Sequence, residues 1–427
     1  MNNLYLDKSN RRTNSKRNVY DFLLIFTISL LIFGGFGGSL QPIRIFSLVM
    51  IPFVIRFLLK QNRNKQIVKI TRAVTILYLF FIASLLWTSD KNEGLKEIVY
   101  YGIHLNIFLL IVMLYLKARK PFNSLLIGWM FFIFLTQIIA FNEIFFDKHL
   151  DLSIFDSDKL INVGGMLVQK KFAAVTFGNY NGYVTVVALS LPFLFGMFAS
   201  VEKKTHQIIS LAIISFAYFT LFINASRGGI LAGIVVLGIF LFFSKKIKIK
   251  KVRYILLLIV PLLLILIYRY YDIIFEQLFY RRLAGSSFTQ DDGRFALFSK
   301  ALQAFYNKPF FGGGIGSLQK EMTGASILVP HNMFLEVLVQ FGFFVSLFFL
   351  IYLIKHFAQV KKIYKPVNSF IIYAALLSLP VASIINSGYL LMPTFWVFLA
   401  SLYCIAFFNK DITQNSLLSK EIFSDMI

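Results

Sequence analysis

Long apolar runs, separated by short polar and basic clusters, recur along the chain from about residue 20 to residue 408. A bilayer span needs about 17–25 mostly apolar residues. That template fits twelve stretches: 20–38, 43–59, 73–88, 98–116, 123–146, 181–200, 208–224, 229–244, 254–271, 332–354, 368–386 and 393–408. The pattern predicts an all-α, polytopic integral membrane protein of about twelve transmembrane helices. Residues 1–427 form a single membrane domain with cytoplasmic tails at 1–19 and 409–427. The first run resembles a secretory signal, but a second run follows at once, so it is read as an uncleaved anchor. The largest connection, 272–331, is a loop of about sixty residues between spans nine and ten, and a second long connection covers 147–180.

Composition agrees with the periodicity. The chain is 58% hydrophobic and only 15% charged, where a soluble domain carries roughly a quarter charged residues. Its 50 phenylalanines exceed what one soluble core could hide, whereas hydrocarbon solvates such surface freely. The net charge of +23 would suit nucleic acid, but the basic residues are placed otherwise. With the N-terminus inside, clusters such as Lys60 to Arg72, Lys117 to Lys120, Lys245 to Arg253 and Lys355 to Lys365 all fall on the cytoplasmic side. They act as topology signals facing anionic lipid rather than as a nucleic-acid surface. The expected location is the plasma or inner membrane, multi-pass, with both termini cytoplasmic. No cytoplasmic segment is large enough for a nucleotide domain, so chemistry belongs on the outer face. The lone Cys404 excludes an intrachain disulfide.

Three motifs stand on that face. In Asn224-Ala225-Ser226-Arg227-Gly228-Gly229-Ile230-Leu231, Ser226 is placed to cap span eight and Arg227 falls in its first turn. Free N–H groups, the dipole and a guanidinium fork together suit a phosphate. An arginine reaching up to lipid headgroups is the competing reading. In Pro330-His331-Asn332-Met333, His331 lies near the start of span ten, where a neutral imidazole could serve as a general base or simply hydrogen-bond a neighbouring loop. Gly293-Arg294, with Arg281 and Arg282 upstream, places positive charge against the topology rule.

Within the large loop, Asp291-Asp292-Gly293 reads as a helix start. Phe295, Phe298, Leu302 and Phe305 then recur at helical spacing up to Pro309. An amphipathic helix along the membrane surface is expected, followed by a flexible glycine crossing at 312–316. That glycine run lacks the lysine and hydroxyl residue of a phosphate-binding P-loop. Asp291 and Asp292 have no partner ligands at metal spacing, so no metal site is assigned. No acid occupies 34–41, where metal-dependent membrane glycosyltransferases keep one, and no acid other than Glu336 is expected to be buried mid-span. This scarcity argues against a proton-driven transporter or flippase. His104, His149, His206 and His356 are taken as structural.

These residues resemble the O-antigen ligase and Wzy-type polysaccharide polymerase family. Two of its short signatures are an arginine with a leucine four positions on, here Arg227 and Leu231, and a histidine followed after ten residues by glycine, here His331 and Gly342. Both occur in the family's order on one side of the membrane, flanking a long loop. The stretch from Asp292 to Gly342 also repeats the loop's plan of Gly-Arg, amphipathic helix, proline, glycine cluster and His-Asn.

The resemblance implies a metal-independent, inverting membrane glycosyltransferase that needs no cofactor. It would use an undecaprenyl-diphosphate-linked oligosaccharide donor and a glycan acceptor, with a flippase and a chain-length regulator as further partners. By carry-over, His331 is the catalytic base and Arg227 binds the diphosphate, with Arg294, or its rival Arg282, as the second diphosphate-binding arginine. Nothing in the sequence marks recognition of a lipid A core. The expected function is therefore polymerisation of repeat units for capsule, exopolysaccharide or O-antigen. The alternative is ligation of the finished glycan to lipid A core or another acceptor, with a lipid-linked oligosaccharide flippase third.

Overall fold

A computed structural model describes residues 17–36, 38–61, 64–150, 160–163, 166–169, 171–244, 288–323, 329–360 and 365–408. Its helices are α1 (Val19–Ser29, prolonged by the 3-10 turn Leu30–Phe33), α2 (Pro42–Val49), α3 (Ile51–Lys60), α4 (Lys65–Ala83), α5 (Lys91–Lys117), α6 (Pro121–Phe146), α7 (Tyr180–Ser200) and α8 (Lys204–Ile223). They continue with α9 (Arg227–Ser244), α10 (Phe288–Asn307), α11 (Leu318–Glu321), α12 (Met333–Val360), α13 (Pro366–Ala382) and α14 (Pro393–Phe407). Helices carry the architecture, as the hydropathy pattern predicts. One small antiparallel hairpin is added in the second long connection, with β1 (Leu160–Val163) pairing β2 (Met166–Gln169) and Leu160 opposite Gln169.

Six described helices are long and apolar enough to cross a membrane by length and composition: Lys65–Leu86, α5, α6, α7, α8 and α12. The pair α2 and α3, bent by 48°, passes together as a seventh. Four apolar helices are shorter: Val19–Phe33, Arg227–Phe243, α13 and α14. The predicted span 254–271 lies outside the described residues, as do loop residues 272–287 and most of both tails. The count of full-length spans among the described residues is thus six or seven, below the twelve predicted.

Helix ends also move for identifiable reasons. The apolar run of α5 begins near residue 98, yet Asp90 caps the helix by accepting the Glu93 N–H at 3.1 Å, so a polar first turn is added. Asn64 does the same for α4, accepting from Gln66 and Ile67. The short helices α1 and α13 instead give way to packed connections, held by Thr176 on Ile32 and by Met333 on Ser383. A helix of 17 residues rises only about 25 Å, so the remaining depth is crossed by irregular backbone. Such backbone is tolerated at membrane depth only where protein groups satisfy it.

Buried carboxylates do much of that work. Asp21, near one end of the bundle, accepts the N–H groups of Asn18, Arg119 and Lys120 and the Ser124 hydroxyl at 2.8–3.1 Å, stapling the α5–α6 connection to α1. At the other end Glu143 of α6 accepts from Ala174 and Val175 at 2.8 and 2.9 Å, which holds the buried segment Phe172–Thr176 between the helices. Glu336 of α12 accepts the Gly388 N–H with both oxygens, at 2.9 and 3.1 Å. Glu97 of α5 accepts from Gly316 and Gln340, each at 3.0 Å. The expectation that Glu336 alone is a buried span acid is therefore corrected. Glu97 and Glu143 are buried as well, and all four hold polypeptide backbone.

The connections 34–36, 38–41, 171–179, 224–226, 309–323, 329–332 and 383–392 meet at one end of the bundle, the site end. Thr176 reaches Ile32, Asn224 reaches Ala173, Arg44 reaches Leu391 at 3.0 Å, and Met333 reaches Ser383 at 3.1 Å. Between the ends the core is aromatic, with Trp129 stacked on Phe193 at 4.7 Å and its indole N–H on Ser401. Large apolar side chains on α4 and α12, among them Leu79, Phe343, Phe344 and Phe348, stay exposed as hydrocarbon-facing surface.

Candidate functional site

The α8–α9 turn is built residue by residue to present Arg227. Asn224 is buried, and its carboxamide exchanges two hydrogen bonds with Ala173, accepting the N–H at 2.7 Å and donating to the carbonyl at 3.1 Å. Ala225 turns the chain through a left-handed φ of 49°. Ser226 then caps α9 as the sequence predicts: its carbonyl accepts the Ile230 N–H at 2.9 Å and its hydroxyl accepts from Gly229 at 3.4 Å. Arg227 is the first residue of α9 and is exposed. The two glycines after it allow close packing. A Cβ at Gly229 would sit 2.4 Å from Val184 of α7, and one at Gly228 would sit 2.9 Å from Ile385.

His331 stands just before α12. It takes a left-handed φ of 47° and is half-buried. The cap itself is Asn332, whose side chain accepts from Phe334 and Leu335 at 3.0 and 3.3 Å, while its carbonyl accepts from Glu336. His331 therefore precedes the first helical turn.

The first turns of α9 and α12 converge on one segment at the end of α13. Gly228 packs against Val381 and Ile385, and the Met333 N–H donates to the Ser383 carbonyl. Glu336 fixes the continuation of that segment at Gly388. The two motif residues, far apart in sequence, thus flank a common platform at residues 381–388. The third motif is placed less completely. Arg294 lies in the second turn of α10, where only backbone is described, and Arg282 lies outside the described residues. Three residues after Arg294, Leu297 begins a buried stripe with Ala301 and Ala304 that packs with Val339 and Leu335 of α12.

The loop differs from its sequence expectation in two ways. Helix α10 begins at Phe288, before Asp291, and docks on α12 through Leu297, Ala301 and Ala304, while Leu302 is exposed. The small residues Ala301 and Ala304 permit the closer approach, while Phe298 and Phe305 are half-buried. The glycine cluster is no loose crossing, since Gly313, Gly314 and Ile315 are buried against α12 and α5.

Sequence reasoning also passed over Arg44. It is buried in α2, donates to the Gly38 and Leu391 carbonyls at 3.3 and 3.0 Å, and lies 4.5 Å over the Tyr100 ring. A charge inside a predicted apolar span was the available signal. His104 accompanies it, buried against the Leu390 carbonyl.

The family model described as O-Antigen ligase matches residues 209–350. That match covers about a third of the chain. The matched segment runs from α8 into α12 and contains Arg227, Arg282, Arg294, His331 and Gly342. The chain is also similar to a ComP-specific O-oligosaccharyltransferase of Acinetobacter baylyi (strain ATCC 33305 / BD413 / ADP1), 26% identical over 213 residues. That similarity covers 44% of this chain and 36% of the relative, so the chain spans little more than a third of the relative's length. The apolar helices, together with this match, describe a multi-pass membrane protein.

Proposed function

We propose that the chain is a membrane glycosyltransferase of the ligase type, moving a lipid-linked glycan onto an acceptor hydroxyl at the site end, which faces away from the cytoplasm. The observation that carries the reading is that the Arg227 and His331 helix starts, both within the segment matched by the family model, converge on residues 381–388. The donor is an undecaprenyl-diphosphate-linked oligosaccharide. Arg227, in the first turn of a serine-capped helix, grips the diphosphate. A loop arginine, Arg294 or Arg282, takes up further charge as the leaving group departs. His331 accepts the proton of the acceptor hydroxyl while that oxygen attacks the anomeric carbon. The bond from that carbon to the diphosphate breaks on the opposite face, so the configuration inverts. Two arginines serve in place of a metal, because they stabilise charge that develops only as the bond breaks.

Transfer to a separate acceptor is favoured over repeat-unit polymerisation. The family description names a ligase, and the relative's name is that of an O-oligosaccharyltransferase specific for ComP. The acceptor here is a hydroxyl on lipid A core, another glycan or a protein. The test supplies purified protein with a lipid-diphosphate glycan and each acceptor class in turn. One glycan added per acceptor supports the ligase; a ladder of growing lipid-linked glycan with no added acceptor replaces it with the polymerase.

A further inference from the structure

The helix α12 is broken at Gly342, which takes φ 68° and ψ −164°. In an unbroken helix the Phe343 and Phe344 N–H groups would donate to the Val339 and Gln340 carbonyls four residues back. Here the loop takes over all four groups. The Val339 and Gln340 carbonyls accept from Gly313 and Gly314, each at 2.8 Å. Phe343 donates to Pro309 at 2.8 Å and Phe344 to Phe310 at 3.4 Å. Only glycines fit the seam: a Cβ on Gly342 would lie 2.5 Å from the Gly312 nitrogen, and one on Gly312 would lie 2.5 Å from the Gln340 carbonyl.

The inserted strand is then fastened to α4 and α5. Ile315 donates to the Ser84 hydroxyl at 3.1 Å and accepts from Thr88 at 2.6 Å. Lys320 donates to the Ser89 carbonyl at 2.9 Å. At the centre, one oxygen of Glu97 accepts both the Gly316 N–H and the Gln340 carboxamide, so a single buried carboxylate joins loop, broken helix and α5. On either side of this seam the chain leads to the groups assigned above. Helix α10, with Arg294, ends two residues before Pro309, and His331 opens α12.

We propose that Glu97 is a positioning residue that latches segment 309–317 into the gap of α12 and thereby holds α10, which carries Arg294, against the helix that His331 opens. The activity arm of this inference rests on the glycosyl-transfer reading; the latch itself does not. Ser317 supplies an independent readout. It is fully buried with a hydroxyl that has no hydrogen-bond partner, so a thiol there is a mild change, and the buried native Cys404 reports general unfolding.

The experiment labels Ser317→Cys protein in native membranes with an impermeant maleimide and maps the modified peptides. The introduced thiol is expected to be protected when Glu97 is present, labelled with Glu97→Ala, and largely protected again with Glu97→Gln, which can still accept from Gly316. Cys404 stays protected throughout. Transfer, measured without the position-317 change, is expected to fall about a hundredfold in Glu97→Ala, the scale on which misplaced catalytic groups lose rate. Glu97→Gln recovers most of it. A thiol that stays protected in Glu97→Ala, or one that becomes labelled while transfer is unchanged, overturns the proposal. If Glu97→Ala does not insert, Gln340→Ala decides by the same two readouts: unaltered protection together with unaltered transfer overturns it. If the unaltered chain transfers nothing, the functional reading falls while the labelling still decides the latch.

Discussion

Arg227 stands where a left-handed residue, a serine cap and two close-packed glycines meet, so its place at the helix start is set by neighbours that hold backbone. Arg227→Ala is expected to lower transfer by at least a hundredfold, the usual cost of deleting a donor to developing charge. Arg227→Lys should recover little, because a point charge does not replace the fork. Product formation in membranes with matched protein levels checks both. His331 is held differently, by its own φ of 47° ahead of the Asn332 cap. The supporting polar residues are predicted to act on stability. Glu143→Ala leaves the Ala174 and Val175 N–H groups buried without their acceptor, at a cost of roughly 1–3 kcal/mol for each group. Thermal denaturation in detergent should show that loss, and an unchanged melting point would remove Glu143 from the frame.

At the scale of elements, the start of α9 was legible because a capping serine and an arginine at a helix N-terminus are local features. The histidine-to-glycine spacing was legible only as a signature; the fold supplies its reason, a helix break that admits the loop strand. What local pattern could not give was any partner distant in sequence. The glycines at 312–316 carry no side chains to reveal what they pack against, so a buried seam reads as a flexible crossing. Likewise Phe298 and Leu302 dominate the periodicity of α10, although Leu297, Ala301 and Ala304 make its contact. The break yields a sharp contrast between two glycines. Gly342→Ala must accept a left-handed φ, which costs about 1–2 kcal/mol, and a Cβ 2.5 Å from backbone. It is expected to destabilise the chain and abolish transfer. Gly238→Ala in α9 meets nothing within 4 Å and should gain up to about 1 kcal/mol from helix propensity. Parallel melting curves distinguish the two, and equal effects would contradict the seam.

Over the whole molecule, hydropathy located helices at every described span, and six or seven of the described helices are long and apolar enough to cross a membrane. Composition cannot show where a chain stops being helical inside a bundle. The site end is a layer of packed segments joined by Glu97, Glu143, Asn224 and Glu336, and it holds the Arg227 and His331 helix starts against residues 381–388. Its orientation is testable: reporter fusions after Lys120 and Lys204 are expected on the cytoplasmic side and one at Gln303 outside. A cytoplasmic signal at Gln303 would place the site in the wrong compartment for a lipid-linked donor. The most direct test of the central claim is the rate of glycan transfer by purified protein in EDTA, using an undecaprenyl-diphosphate-linked donor and a hydroxyl acceptor. It compares the unaltered chain with His331→Gln. Unaltered protein is expected to turn over without added metal, and His331→Gln to lose about a hundred- to ten-thousand-fold in rate, the worth of a general base. Turnover that stops in EDTA and returns with a divalent cation, or a glutamine variant that works at the full rate, would contradict it.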